Sequence, residues 1–214
     1  MKKLVFNLEG DLFNAAFPKE NIYERTPLLL IIMEACKFMM YNEQVLHCNN
    51  KFMLVVDEMN RLFFCKHDKM FSVKFPFHVN LYPAIRFDYE QIPIDSKLLS
   101  VIIEILESKE FKSDYVLDLL VPIGDLQDHE YQDLWKIFLN LLTYDIGYIR
   151  YDDDPDGFRK ASNRGFPKQH PRYHYDVNIE TQASFKLGLM KNLTLDGFVD
   201  FLDNNKDRYM LKQP

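Results

Sequence analysis

The spacing of apolar residues changes partway along the chain, and this change constrains the fold more than any other feature. Between residues 95 and 142, large apolar side chains recur every three or four residues, which is typical of helices packed on one face. After Gly147 they alternate with polar residues, which is typical of strands. The two patterns occupy separate stretches and do not alternate, so the sequence predicts an α+β fold.

The N-terminal third is predicted to contain one helix and a group of strands. Residues 27–40 keep helical spacing. Residues 52–56 and 62–65 fit either a hairpin or one amphipathic helix, and their β-branched and aromatic content favours strands, with residues 70–75 as a third. Three prolines punctuate residues 76–94, which we expect to form a connecting loop.

The rest of the chain is predicted to form a helical middle followed by a C-terminal antiparallel β-β-β-α unit. The predicted elements are helices at 95–108, 113–120 and 128–142, strands at 148–152, 173–179 and 184–189, and a closing helix from Thr194. The 214 residues fit a single domain, residues 1–214, with a candidate sub-domain boundary in 76–94.

Glycine content and charge exclude several functional classes. The chain has only 7 glycines and contains neither GxGxxG nor GxxxxGK[ST], so Rossmann-type and P-loop nucleotide enzymes are excluded at the level of motifs. Its formal net charge of −6 argues against a protein that coats nucleic acid along its whole surface. This charge does not exclude binding through a local basic patch.

Cysteine usage and hydropathy predict a cytoplasmic protein. The three cysteines form no CxxC pair, which favours reduced thiols over a disulfide scaffold or a zinc knuckle. The most apolar stretch, residues 28–40, is too short and too charged to span a membrane. We therefore expect no membrane partner.

Residues 150–176 differ from the rest of the chain in their density of charge. Four aspartates lie between Asp152 and Asp156. Five cationic side chains and two histidines follow between residues 158 and 174, with no acidic residue among them. Candidate functional residues are concentrated here.

The aspartates allow a calcium-binding interpretation. Asp152, Asp154 and Asp156, followed by Gly157, match the first ligand positions of an EF-hand loop. Asn163 stands where that loop has a bidentate Glu, and the preceding element is a predicted strand. The three aspartates are candidate ligands of a divalent metal, and the alternative is a solvated acidic turn.

The histidines allow a catalytic interpretation. His174 and Asp176 lie two residues apart on a predicted strand, so both side chains should point to one face. In this interpretation His174 is a base or metal ligand and Asp176 orients it or shares the metal. His170 is the acid, and Arg150 contacts phosphate. The alternative is a structural His174 hydrogen-bonded to Asp176 or to a tyrosine.

The cationic residues allow a third interpretation, in which the segment binds nucleic acid without cleaving it. The candidate phosphate contacts are Arg159, Arg164, Lys168 and Arg172. Phe158, Phe166 and Tyr173 are interleaved with them, a mixture that can stack bases and neutralise backbone phosphate.

Two short motifs carry a resemblance to a known group. Arg-Tyr-Asp at 150–152 and His-Pro-Arg-Tyr-His at 170–174 precede a short strand and a helix that opens with Leu-Thr. Residues 146–204 thus resemble a group of small, uncharacterised bacterial proteins, some toxin-like or defence-associated. The chain departs from the group at residues 186–188, Lys-Leu-Gly, where Arg-aliphatic-Pro is usual. The resemblance implies a bacterial setting and a role in toxicity or antiviral defence.

These patterns lead to two functional hypotheses. In the first, the protein binds or cleaves nucleic acid through residues 150–176, with nuclease-like or phosphodiesterase-like activity, in a defence or toxin–antitoxin module. In the second, it is a non-enzymatic assembly subunit that docks on a protein partner through aromatic and Met-rich surface in its N-terminal half.

Overall fold

The computed structural model describes residues 1–19, 22, 24–112, 118, 134–177, 185–207 and 210. These residues form a mixed α+β fold, which confirms the predicted class. The chain divides into two compact units, each assembled from separate stretches of sequence. Unit 1 consists of Met1–Glu9, Gln44–Lys74 and Gly147–Pro214, and unit 2 consists of Gly10–Glu43 and Phe75–Ile146.

The described strands and helices follow one another in a mixed order. In chain order they are β1 (Lys2–Asn7), α1 (Gly10–Ala16), α2 (Arg25–Tyr41), β2 (Lys51–Val56), β3 (Arg61–Lys66), β4 (Lys69–Lys74), β5 (His78–Asn80), β6 (Arg86–Tyr89), β7 (Ile92–Ile94), α3 (Ser96–Glu107), α4 (Leu134–Thr143), β8 (Ile149–Asp153), α5 (Pro155–Asn163), β9 (Tyr173–Val177), β10 (Phe185–Leu189) and α6 (Leu195–Leu202). A short 3-10 turn, Pro167–Gln169, lies between α5 and β9.

Unit 1 is built on a seven-stranded sheet with the order β1-β2-β3-β4-β8-β9-β10. Every neighbouring pair is antiparallel. The N-terminal strand group and the C-terminal strands with their closing helix are therefore confirmed, and they share one sheet. Between β8 and β9 the structure has a nine-residue helix, α5, in a stretch where the sequence patterns predict no helix.

Unit 2 contains α1 to α4 and a second antiparallel sheet, β5-β6-β7. Residues 76–94 were expected to be a connecting loop, and this expectation is wrong because they form this sheet. Pro93 is tolerated because β7 is an edge strand, where a missing backbone N–H can face away from the neighbouring strand. Glu90 and Gln91 make the turn between β6 and β7 with positive φ angles of 47° and 73°.

Several predicted elements fall partly outside the described residues. The helix predicted at 113–120 lies outside them except for residue 118, and the start of the helix predicted at 128–142 also lies outside, with α4 as its described part. Within the described ranges, no helix is long and apolar enough to cross a membrane. The apolar stretch 28–40 lies in α2, where Leu29, Ile32 and Met33 are fully buried.

A row of phenylalanines crosses the first four strands of the large sheet on one face. Phe6, Phe52, Phe64 and Phe71 are direct register partners on β1 to β4. Their rings stack with centroid separations of 5.2, 5.7 and 4.6 Å. All four are buried, so the row forms part of the core and joins the four strands through side-chain packing as well as backbone hydrogen bonds.

The opposite face of the sheet is covered by α6. Tyr175 of β9 stacks on Phe198 and Phe201 of this helix, with ring centroids 5.9 and 4.5 Å away. The helix begins at Thr194, whose hydroxyl accepts a hydrogen bond from the Gly197 N–H at 3.1 Å, as the capping residue in the sequence predicts. The tyrosines of β8 and β9 therefore face α6, and the residues that alternate with them face the other way.

We expect Phe64→Ala to lower the free energy of unfolding by about 3–5 kcal/mol, because it leaves a cavity in the middle of the stacked row. Urea denaturation measures this change. Phe185→Ala is the matched control, since Phe185 is 58% exposed, and it should cost less than about 1 kcal/mol. Equal costs for the two substitutions would contradict a structural role for the row.

Candidate functional site

The row of phenylalanines continues across the sheet as a row of charged residues. Phe71 on β4 pairs in register with Arg150 on β8, Arg150 with Asp176 on β9, and Asp176 with Lys186 on β10. A parallel row places Asp152 beside His174. Arg150, Asp152, His174, Asp176 and Lys186 thus share one face of three neighbouring strands, and we call them the inner cluster.

Arg150 bridges the two carboxylates of the inner cluster. Its Nε donates to Asp152 Oδ2 at 3.0 Å, and its Nη2 donates to Asp176 Oδ2 on the next strand. None of the three residues is more than 7% exposed. Buried charges are tolerated when they are paired and hydrogen-bonded, and the guanidinium meets this requirement for both aspartates at once.

His174 is held in one tautomer. Its Nδ1 lies 2.8 Å from the Pro171 carbonyl oxygen, which can only accept, so Nδ1 carries the proton. Its Nε2 then accepts a hydrogen bond from Lys186 Nζ at 2.7 Å. The same ammonium donates to Asp176 Oδ1, also at 2.7 Å. His174 is fully buried, whereas a quarter of the Lys186 side chain is exposed.

The burial and charges of the inner cluster change the acidity of its members in different directions. Burial lowers the pKa of His174 from its ordinary value of 6.5, and the Lys186 ammonium lowers it further. Burial raises the pKa of Asp152 despite the opposing charge of Arg150. Burial also acts to raise the pKa of Asp176, but Lys186 and Arg150 outweigh it, so that pKa is lowered.

A second pair, Asp154 and His170, lies beside the inner cluster. Asp154 Oδ1 accepts from the Gly157 N–H at 2.8 Å and caps α5, while Oδ2 lies 2.8 Å from His170 Nε2. A Cβ at Gly157 would collide with both side chains, so the missing side chain at this position makes room for the pair. The His170 and His174 rings meet edge to face, 5.0 Å apart.

Asp154 and His170 line a cleft of about 500 Å³ between α5 and the 3-10 turn. The lining residues are Asp154, Asp156, Gly157, Lys160, Ala161, Arg164, Phe166, Gln169 and His170. Lys160 and Arg164 make no ion pair with any residue that the structure describes. Burial acts to raise the pKa of Asp154, but the Gly157 N–H and His170 outweigh it and lower that pKa. The carboxylate is therefore the stable form.

The four predicted catalytic residues lie close together but in two environments. Arg150, His174 and Asp176 are in the buried inner cluster, with His174 and Asp176 on one face as their spacing predicts. His170 lies in the cleft, with 27% of its side chain exposed. A ligand in the cleft can therefore meet His170 directly, whereas His174 is covered.

Of the four predicted phosphate contacts, Arg164 lines the cleft. Arg159 pairs with Asp156 at 2.5 Å, and Arg172 makes two hydrogen bonds to Asp153 at 2.8 and 3.3 Å. Lys168 is exposed on the 3-10 turn. The structure therefore brings one of the four to the cleft.

The three predicted metal-binding aspartates have separate partners. Asp152 bonds to Arg150, Asp154 caps α5 and contacts His170, and Asp156 pairs with Arg159. The EF-hand expectation is not met because the chain turns into a helix directly after Asp154 and cannot wrap an ion. The ligand-type side chains that do converge in the described part of the chain are Asp152, His174 and Asp176.

Sequence reasoning missed Lys160 and Lys186, and it assigned Gly157 to a calcium loop. Asp154 before Pro155 is a capping residue before proline at the first helical position, a signal for α5 that was interpreted as a turn. Once α5 is known, Gly157 and Lys160 fall on one helical face, and Arg164 follows directly after the helix. No local signal identifies Lys186, because its partners come from another strand.

Comparison with protein-family models, with curated proteins and with solved structures finds no significant match.

We expect the free energy of unfolding to fall as the pH is lowered through the range just below 6.5. The folded-state pKa of His174 is depressed, so the unfolded chain binds more protons than the folded chain in this window. His174 can contribute a slope of at most about 1.4 kcal/mol per pH unit.

The variant His174→Asn isolates this contribution, because its amide can still donate to the Pro171 carbonyl but does not titrate. Urea denaturation between about pH 7.5 and about pH 5.5 should give a shallower pH dependence for the variant than for the wild type. Identical slopes would show that His174 is not held neutral by the fold.

Proposed function

We propose that the cleft binds a phosphate group of an RNA strand and that the Asp154–His170 pair moves the proton in cleavage of the phosphodiester bond. The observation that carries this proposal is the 2.8 Å contact between His170 Nε2 and Asp154 Oδ2 at a cleft that also presents Lys160 and Arg164. An oriented imidazole beside cations that have no ion-pair partner among the described residues is a combination that supports acid–base catalysis on a phosphate ester.

His170 has the geometry of an oriented general base. With Nε2 engaged by Asp154, Nδ1 is the nitrogen left for a substrate, and it makes no hydrogen bond to any described residue. The neighbouring carboxylate stabilises the imidazolium that forms when Nδ1 accepts a proton. In RNA the 2′-hydroxyl supplies both this proton and the nucleophile, so the base needs no second bound reactant. The 2′-oxygen bonds to phosphorus as the bond to the 5′-oxygen breaks, and the His170 imidazolium returns the proton to the departing 5′-oxygen, which leaves a 2′,3′-cyclic phosphate and a 5′-hydroxyl.

Lys160 and Arg164 supply the complementary charge. Lys160 lies on the face of α5 that lines the cleft, Arg164 follows directly after the helix, and neither is engaged by a described carboxylate. Phosphate oxygens carry the negative charge that these groups attract, and the charge grows during attack on phosphorus. Phe166, also at the cleft, offers a ring on which a base can stack.

His174 is a positioning residue in this proposal. Its burial and its contact with Lys186 Nζ prevent it from meeting a substrate directly. It instead fixes the Pro171 carbonyl through Nδ1 and packs against the His170 ring. The sequence predicts His174 as the base and His170 as the acid. In this proposal His170 carries the proton, and His174 does not contact the substrate.

The burial of three methionines in the N-terminal half weakens the alternative of a docking subunit. Met33, Met39 and Met53 lie in the core and present no surface to a partner. Phe75 and Phe77 are buried as well, whereas Met40 and Met59 are half-buried and Tyr41 and Tyr82 are exposed. The setting that we propose is a cytoplasmic bacterial defence or toxin module. Cysteine usage and hydropathy support the location, and the resemblance of residues 146–204 supports the bacterial defence or toxin role.

We expect His170→Ala to lower the rate of RNA cleavage by about 100-fold or more, the usual contribution of a general acid–base group. Cleavage of end-labelled single-stranded RNA and DNA of one sequence, with and without EDTA, measures the effect. His67→Ala is the matched control, since His67 is exposed in the turn between β3 and β4 and should leave the rate unchanged.

Wild-type protein that cleaves neither RNA nor DNA would contradict the proposal. Cleavage of equal rate in wild type and His170→Ala would contradict it as well. Cleavage of DNA at the same rate as RNA would overturn the role of the 2′-hydroxyl.

A further inference from the structure

We infer that Asp152, His174 and Asp176 form a site for a first-row divalent cation such as Mn²⁺, and that the Lys186 ammonium competes with the ion for this position. This inference concerns the inner cluster and does not depend on the cleavage proposed for the cleft.

The donor atoms converge in the way a cation requires. Asp152, His174 and Asp176 each offer one ligand atom, and these atoms all lie within 4.8 Å of one another. His174 Nε2 lies 3.6 Å from Asp176 Oδ1 and 3.8 Å from Asp152 Oδ2. Two carboxylate oxygens and one imidazole nitrogen suit Mn²⁺ and Zn²⁺.

The surrounding groups hold these donors as the outer shell of a metal site does. The Pro171 carbonyl accepts from His174 Nδ1, which turns the Nε2 lone pair toward the carboxylates. A Cβ at Gly188 would lie 2.8 Å from Pro171 Cγ, so a glycine at this position lets Pro171 take its place beside the cluster. Arg150 pairs with Oδ2 of both Asp152 and Asp176 and so fixes the orientation of the two carboxylates.

One oxygen of the cluster lacks a partner. Asp152 is 5% exposed, and its Oδ1 is buried with no hydrogen-bond partner in the described part of the chain. A buried carboxylate oxygen without a partner is costly, and such groups in native proteins usually mark a missing ligand. The Asp152 oxygen nearer to His174 Nε2 is Oδ2, so a cation between the two side chains would give Oδ1 a partner if the carboxylate bound it through both oxygens.

Lys186 occupies the place of the ion. Its Nζ lies 2.7 Å from both His174 Nε2 and Asp176 Oδ1, two of the three donor atoms. The side chain is partly exposed and leaves from β10, the last strand in the sheet order. A lysine has a flexible four-carbon stem, so its ammonium can move into water when a divalent ion takes its position.

The exchange changes the charge of the cluster. With Lys186 inside, two cationic side chains balance two carboxylates and the imidazole is neutral. With a divalent ion in place of the ammonium, the cluster gains one positive charge. The loaded site would therefore hold an anionic ligand, such as hydroxide or a phosphate oxygen, next to the ion.

Mn²⁺ binding to the purified protein, measured by EPR of the free ion in the absence of RNA, tests the inference. We expect wild type to bind a single ion and Lys186→Met to bind it at least about 10-fold more tightly, because the competing ammonium is gone. Lys3→Met is the matched control, because Lys3 also pairs with an aspartate, at 3.0 Å, but lies outside the inner cluster. The Mn²⁺ affinity of the Lys3→Met variant should therefore equal that of the wild type.

NMR of the histidine rings locates the ion without relying on variants that lack a ligand. In Lys186→Met, substoichiometric Mn²⁺ should broaden the His174 ring signals before those of His67. Equal affinities of wild type and Lys186→Met would overturn the inference, and so would broadening that spares His174. Because no RNA is present, neither result depends on whether the cleft cleaves a phosphodiester bond.

Discussion

The charged half of the large sheet depends on the guanidinium of Arg150. It joins Asp152 on its own strand to Asp176 on the next, in an interior where an unpaired carboxylate would be severely destabilising. Phe71, the register partner of Arg150, ends the stacked aromatic row at this boundary. One continuous row of seven register partners is thus apolar on four strands and ionic on three.

The cleft is tied to this network through a short series of contacts. Asp152 is the register partner of His174, whose Nδ1 fixes the Pro171 carbonyl. His170, directly before Pro171, lies against the His174 ring and reaches Asp154. The half-buried Asp154–His170 pair therefore packs against a buried network of paired charges, an arrangement that can hold a site in place without exposing the groups that support it.

Much of the fold could be predicted from local patterns, and the parts that could not were decided by distant partners. The two-residue spacing of His174 and Asp176 predicts their shared face, because strand geometry alone sets it. The burial of His174 and its contact with Lys186 depend on a pairing of strands that no local signal encodes. The helix α5 is predictable from the Asp154–Pro155 capping signal, but the same aspartates also fit calcium ligands or a solvated turn.

A double-mutant cycle of Arg150→Met and Asp176→Asn tests most directly whether the buried bridge holds the charged half of the sheet together. Urea denaturation of wild type, both single variants and the double variant gives the coupling free energy, which we expect to be at least about 2 kcal/mol. The exposed pair Arg172 and Asp153 provides the reference cycle, with an expected coupling below about 1 kcal/mol. Additive effects of Arg150→Met and Asp176→Asn would contradict the central role of the bridge.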